Sequence, residues 1–318
     1  GVCTEDMLSD AMRTAQEADV AIIFAGLWVA YDREGFDRKK LSIDESHIKL
    51  IEAVSAVQKR TIVVLNNGDA VTMDPWLDKA GAVVQQLLAG EVMGEAIADI
   101  LFGHVNPSGR LPVTYPKRVE DTPGWPWFPG ECNHHIYCEG VLAGYRFYEK
   151  RKIAPEFPFG FGLSYTKFSY GALHLNKRMM RDTESLAVTL KVTNTGNLDG
   201  MEVVQLYIAP PEGRLLRPEK ELKKFTKIHL NAGETKEICF TLSHRDFACY
   251  DPELIGWYVP SGDYGVCICR SAEEIALSAT IEIESTTSAF RKLYLDSQHK
   301  QVFAHPDAKR MYLDFLVE

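Results

Sequence analysis

Asp19-Val20-Ala21-Ile22-Ile23-Phe24-Ala25-Gly26 is where the architecture of this chain first becomes readable. The run is nearly continuous in apolar residues, lacks the alternation of a half-exposed strand, and stops at glycine. A short run of this kind predicts a strand buried on both faces, the habit of a parallel sheet. Working outward, Thr4 can cap a helix whose apolar positions include Met7, Leu8, Met12 and Ala15, near 3.6 periodicity. Downstream, Ile48, Ile51, Val54 and Val57 predict a helix over about Asp44 to Val57. A second buried strand follows, Thr61 to Leu65, running into Asn66-Asn67-Gly68. A third apolar run, Ala82 to Leu88, ends at Ala89-Gly90, ahead of a helix from about Gly94 to Leu101. Buried strands alternating with helices predict an open, mostly parallel α/β sheet.

Residues 104–165 carry few regular signals but many prolines, glycines and aromatics. Trp125, Trp127, Phe128, Tyr145, Phe147 and Tyr148 would be costly to leave in water, so this stretch is expected to be a packed functional loop region. Beyond about Thr166 the period becomes two. Leu186, Val188, Leu190 and Val192 alternate with more polar neighbours, as do Ile238, Phe240 and Leu242, then Tyr264, Val266 and Ile268, then Leu277, Ala279, Ile281 and Ile283. Asn194-Thr195-Gly196, Asn231-Ala232-Gly233 and Ser261-Gly262-Asp263 supply turns, and the pattern predicts an antiparallel β-sandwich. The expected division is an α/β domain over 1–165, a β-sandwich over 166–285, and a tail over 286–318 that is helical after Pro306.

Composition narrows the function. A net charge of -9 over 318 residues speaks against nucleic acid, which needs a basic face. Lys220 to Lys227 alternates with apolar residues and reads as a solvated strand face. No run approaches the roughly 20 apolar residues of a membrane span, so no membrane partner is expected. Seven scattered cysteines, an odd number, do not resemble a secreted disulfide framework, so a cytoplasmic location is expected over secretion. Gly1-Val2-Cys3 shows no targeting segment and fits a fragment or processed product.

The nucleotide motifs are absent: no Gly-x-Gly-x-x-Gly follows a strand, and there is no phosphate-cradling Gly-x-x-x-x-Gly-Lys-Ser/Thr. Nor is there a Gly-x-Ser-x-Gly elbow for a serine hydrolase. No cofactor is expected. The loop after the first strand, Tyr31-Asp32-Arg33-Glu34-Gly35-Phe36-Asp37-Arg38, is richer. Ligands gather beyond the carboxyl ends of strands in open α/β sheets, and clustered carboxylates can raise one another's pKa, as a general acid requires. Pattern alone does not choose among Asp32, Glu34 and Asp37, and a solvated charged loop is the plain alternative. Cys132-Asn133-His134-His135-Ile136-Tyr137-Cys138-Glu139 invites zinc, yet its spacing is wrong and no second half-site exists, so no metal is expected. Cys267 and Cys269 share one strand face and are expected to pack as free thiols. Trp125, Trp127 and Phe128 suit either a sugar-binding wall or packing beneath the loop.

Five ordered motifs resemble glycoside hydrolase family 3 β-glucosidases. They are Ala18-Asp19-Val20-Ala21-Ile22-Ile23 with Glu34-Gly35-Phe36-Asp37-Arg38; Asn106-Pro107-Ser108-Gly109-Arg110-Leu111-Pro112; Glu139-Gly140; Gly144-Tyr145-Arg146; and Phe157-Pro158-Phe159-Gly160-Phe161-Gly162-Leu163-Ser164-Tyr165-Thr166. The resemblance implies the C-terminal half of such an enzyme: the later part of an α/β sandwich domain, then a fibronectin type III-like domain. It implies that Glu34 is the acid/base carboxylate of a retaining hydrolase, with Asp37 and Arg38 shaping the loop. Beside it stand Trp125 and Trp127 as candidate substrate-binding residues and Glu139, in its own Glu-Gly context, as the rival acid/base. The resemblance also implies a partner, a TIM barrel that bears the nucleophilic aspartate, on a segment or chain beyond these residues. The start at Gly1 fits cleavage or a gene split beside an inserted protective-antigen-like domain. The expected substrate is a β-glucoside, against a β-xyloside or a non-catalytic carbohydrate-binding or scaffold subunit, and homo-oligomerisation stays open. Two stretches depart from the family. Val29-Ala30-Tyr31 stands where relatives have tryptophan and acidic residues, and Ser42-Ile43-Asp44-Glu45-Ser46 replaces the usual Leu-Pro and Gln pattern.

Overall fold

The computed structural model describes residues 3–27, 35, 38, 40–125, 127–287, 293 and 297–317. Helix α1, Glu5–Glu17, starts as its sequence predicts, with the Thr4 hydroxyl accepting from Met7 N. Strand β1, Ala21–Gly26, follows, then α2, Glu45–Val57, β2, Thr61–Asn66, β3, Ala82–Gln85, and α3, Met93–Leu101. The three strands form a parallel sheet in the order β1-β2-β3. Ile23, Ala25, Val63 and Leu65 bury one sheet face in a core shared with Ile51 and Val54 of α2 and with Trp76. The third strand is shorter than the apolar run suggests. Leu87 adopts a left-handed conformation (φ 57°) and turns the chain away after Gln85 and Gln86.

On the opposite face of β1, Ile22 and Phe24 stay exposed, and β1 has no outer neighbour among the described residues. The burial on both faces expected of Asp19 to Gly26, the habit of a parallel strand, is thus met on one face only among the described residues.

The long region is not wholly irregular: it holds helix α4, Tyr145–Arg151. Tyr148 is buried and Tyr145 and Phe147 are partly covered, as expected. Trp125, Trp127 and Phe128 are not packed away: the two indoles are each 43% exposed, and Phe128 is exposed too. They ride on turns (Trp125 N to Thr122 O, Trp127 N to Gly124 O), and the sheet core is filled by other aromatics, Tyr115 and Trp76.

The β-region begins with β4, Phe168–Tyr170, β5, His174–Leu175, β6, Met179–Arg181, and β7, Leu186–Asn194. It continues through β8, Gly200–Ala209, β9, Glu221–Leu230, β10, Thr235–Leu242, the one-turn helix α5, His244–Phe247, β11, Cys249–Asp251, β12, Gly256–Tyr258, β13, Gly262–Cys269, and β14, Ile275–Glu284. One sheet runs β6-β14-β13-β8-β9; a second runs β10-β7-β4 with β5 also on β7; β11 and β12 pair separately. The two larger sheets enclose a core of Leu186, Leu190, Leu206, Phe240, Val266 and Ile281 with their neighbours. The Lys220 to Lys227 stretch is mostly a strand face on β9, with one correction. Lys220 is buried, because its ammonium pairs with the Glu149 carboxylate of α4, and burial pushes the Glu149 carboxyl up. In the tail, α6, His299–Ala304, precedes the expected helix α7, Pro306–Val317.

Two of the sequence motifs lock the α/β region to the β-sandwich. Asn106 accepts from Ser164 Oγ (2.9 Å) and Tyr165 N (2.8 Å) and donates to Asp199 O (2.9 Å). Arg110 Nη2 donates to Glu202 Oε2 at 2.6 Å, with side chains 11% and 4% exposed, and Tyr170 Oη donates to Glu202 Oε1 at 2.6 Å. Leu111 N donates to Phe161 O (2.8 Å), Ala272 N donates to Phe159 O (2.8 Å), and Gln205 Nε2 donates to Gly160 O (3.1 Å). Gly160 is obligatory there: at φ 81° a Cβ would lie 2.3 Å from Gln205 Oε1. Buried Cys267 and Cys269 complete the junction with Tyr207 and the ring of Tyr145.

Candidate active site

The carboxyl ends of β1 and β2 approach each other as closely as a backbone allows. A Cβ on Gly26 would lie 1.9 Å from Asn66 O, so only glycine closes β1 at this point. Leu27 N then donates to Asn66 O at 3.4 Å, and the acidic loop departs. Glu34, Asp37 and Asp32 lie outside the described residues. Gly35 and Arg38 are described, and Gly35 sits at φ 88°, the left-handed region that glycine reaches without strain.

Arg38 ties the far end of this loop to the chain beyond β2. Its Nη2 donates to Ala70 O at 3.2 Å and to the exposed Asp69 carboxylate at 3.4 Å. Its Nη1 is buried without a partner among the described groups. The Asp69 turn is itself braced: Oδ1 accepts from Ala70 N (2.7 Å), and its carbonyl accepts from Nδ2 of buried Asn67 (2.5 Å). Thr72 N donates to Leu41 O at 3.0 Å, and Ser42 bridges Thr72 in parallel, so the returning strand of the loop lies alongside the same segment.

Helix α2 starts directly after this return. Asp44 caps it, accepting from Ser46 N (2.8 Å) and Ser46 Oγ (2.5 Å). The Ser46 hydroxyl, foremost, holds the Asp44 carboxyl below its usual range. In the first turn His47 sets Nδ1 3.1 Å from Gly26 O and 3.3 Å from Gly26 N.

A cleft of about 440 Å³ is lined by Leu41, Asp69 and Ala70 together with Pro123, Tyr145 and Tyr148. Burial pushes the Tyr148 phenol up to about 12, away from a role as acid or base near neutrality. Trp125, Trp127 and Glu139 do not line the cleft. Glu139 is half-buried in its own turn, where its carbonyl accepts from Leu142 N. In the Cys132–Cys138 stretch, His135 packs edge-on against Tyr137 and Phe128. Among the described residues no three His, Cys, Asp or Glu side chains gather as a metal site would require. Of the predicted site residues, then, Arg38 stands at the sheet's carboxyl end. Asp69 and His47 join it there, and neither stands out in the sequence, since each meets its partner only once the strands are paired.

The profile of the Glycosyl hydrolase family 3 C-terminal domain matches residues 4–165, and that of the Fibronectin type III-like domain matches residues 202–272. The chain is 42% identical over 304 residues to "Thermostable beta-glucosidase B" of Acetivibrio thermocellus, covering 96% of this chain and 40% of that protein. It is 39% identical over 276 residues to "Exo-alpha-(1->6)-L-arabinopyranosidase" of Bifidobacterium breve, covering 87% and 36% respectively. The crystal structure of a GH3 beta-glucosidase from Bifidobacterium adolescentis superposes with a TM-score of 0.91 at 37% identity, over 98% of this chain and 46% of that one. The chain thus spans less than half the length of each of these proteins.

Proposed function

The chain belongs to glycoside hydrolase family 3, and from that membership we propose that it is the acid/base-bearing part of a retaining, exo-acting β-glucosidase. Retaining hydrolysis uses two carboxyl groups about 5–5.5 Å apart. In this reading Glu34 protonates the leaving glycosidic oxygen while an aspartate on a barrel-bearing part of the enzyme attacks the anomeric carbon. Glu34 then takes a proton from the water that hydrolyses the glycosyl-enzyme. No cofactor takes part.

One observation carries the reading. Arg38, the last residue of Glu34-Gly35-Phe36-Asp37-Arg38, is held against Ala70 O, which fastens the motif at the carboxyl end of the sheet beside an open cleft. That is where an open α/β sheet presents its ligand-handling groups. A solvated charged loop would have no reason to bury an arginine against a neighbouring backbone. The beta-glucosidase names of the Acetivibrio and Bifidobacterium adolescentis proteins support glucose as the sugar. The arabinopyranosidase relative supports a second substrate reading, a terminal α-L-arabinopyranoside.

The test is Glu34→Gln in the complete enzyme. Loss of a general acid costs about 10²–10⁴ in rate, so hydrolysis of alkyl glucosides falls by that factor while dinitrophenyl glucosides are still cleaved. Azide restores turnover and gives a glycosyl azide of retained configuration. The 318-residue chain alone hydrolyses neither. If Glu139→Gln shows the leaving-group dependence and azide rescue while Glu34→Gln stays within about threefold of wild type, the acid/base lies on the other loop. Turnover by the pure chain alone removes the two-part picture. Aryl glucoside, xyloside and arabinopyranoside compared by kcat/KM decide the sugar.

A further inference from the structure

The bonds that join β1 to β2 fall on alternate residues: Ala21 N donates to Arg60 O (3.0 Å) and Leu27 N to Asn66 O (3.4 Å). In a parallel strand each residue directs its N–H and C=O to one side, and its neighbour directs them to the other. The peptide groups of Gly26 therefore face the outer edge of β1, where no strand lies among the described residues. Gly26 is buried, and a buried backbone group without a partner is costly. His47 meets this need: Nδ1 lies within reach of both Gly26 O and Gly26 N. One ring nitrogen serves one of them at a time, as a donor to the carbonyl or an acceptor from the amide, according to its tautomer. The ring is firmly mounted, since His47 sits in the first turn of α2 behind the Asp44 cap.

Gly26 is also the point at which the acidic loop leaves the sheet, and Arg38 fastens the other end to Ala70. We infer that His47 is a positioning residue for the acid/base carboxylate: it pins the departure of the loop, so that the span carrying Glu34 is clamped at both ends. The inference rests on the reading of Glu34 given above. It concerns geometry, and catalytic groups displaced by about 1 Å lose on the order of 10²-fold in rate.

The complete enzyme decides it, with His47→Leu, His47→Asn and His47→Gln compared on an alkyl and a dinitrophenyl β-glucoside. Leu offers no polar atom, Gln carries its amide one methylene beyond the position of Nδ1, and Asn sets its amide oxygen or nitrogen where Nδ1 stands, able to accept or donate there. The expected result is a loss of about tenfold or more in kcat on the alkyl glucoside for Leu and Gln, with at least about fivefold less loss on the dinitrophenyl substrate. Asn restores alkyl-glucoside turnover to within about threefold of wild type. Amide exchange in the complete enzyme accelerates in peptides covering residues 26–40 for Leu and Gln, while α2 keeps its protection. Equal losses on both substrates, failure of Asn to rescue, or unchanged exchange at 26–40 overturns the inference. Should His47→Leu not fold, the comparison of Gln with Asn decides in its place. Glu34→Gln is run alongside: if it lacks leaving-group dependence, the acid/base reading fails by itself, and amide exchange still judges the anchor.

Discussion

Glu202→Ala is expected to have a large effect at the junction between the α/β region and the β-sandwich. The carboxylate is 4% exposed and takes two short bonds, from Arg110 Nη2 and Tyr170 Oη, each 2.6 Å. Alanine leaves the Arg110 guanidinium, itself 11% exposed, as a buried charge without its counterion. Breaking one side of such a pair costs about 3–5 kcal/mol. The stranded Tyr170 hydroxyl alone would cost about 1–3 kcal/mol, but water admitted to the vacated space serves both groups, so the penalties do not add. The expected loss therefore stays at about 3–5 kcal/mol, read by urea unfolding of the chain followed by tryptophan fluorescence. Arg110→Leu combined with Glu202→Leu, compared with each of these two Leu variants alone, removes charge and countercharge together, and such replacements come out close to neutral. The double variant should recover most of the loss, giving a coupling energy above the scatter of about 0.5 kcal/mol seen for independent sites. A single variant within about 1 kcal/mol of wild type, well short of the usual cost of a broken buried pair, refutes the reasoning. So does a double variant as unstable as the sum of the two singles.

Asp44→Ala should cost about 1 kcal/mol, the usual worth of a helix N-cap. Because the folded-state pKa of Asp44 is lowered, this stabilisation is present above the unfolded value of 3.8 and is lost as pH falls through the lower folded value. Urea midpoints of wild type and variant should differ near neutral pH and converge well below pH 3.8; a difference that persists in acid excludes the carboxylate as the cap. Cys132, Cys138 and Cys239 are exposed and should react first with a thiol reagent. Cys267 and Cys269, buried and with the Cys269 thiol pushed up to about 12, should react only on unfolding. Seven thiols counted under denaturing, non-reducing conditions fit a reducing compartment, and recovery of one would imply three disulfides and an oxidising one.

Most of the architecture was legible because burial leaves periodic marks. The apolar runs around Ile23 and Val63 announce strands, of which β2 is largely covered while β1 is covered on one face only, and the alternation from Leu186 to Val192 announces a sandwich face. Strand β8 is harder to see: buried Glu202 and Gln205 interrupt its apolar pattern because they serve the junction. Helix α4 is seven residues long, too short to display a period, and its Tyr-Arg-Phe-Tyr start resembles a loop. The site was legible in part. Arg38 stands in a motif, but its acceptor Ala70 is 32 residues away, and nothing local pairs them. His47 looks like any polar residue in a first helical turn until Gly26 is seen to turn its peptide outward.

The outer edge of β1, which no strand among the described residues pairs with and beside which Ile22 and Phe24 are exposed, has a consequence for how the chain is made. A bare strand edge flanked by apolar side chains is a template for any extended chain that reaches it. When the chain is produced, this edge meets mainly other copies of itself, and its yield then depends on dilution and on holdase chaperones more than on the stability of either core. Low concentration or co-expression with a holdase is accordingly the sound way to produce it.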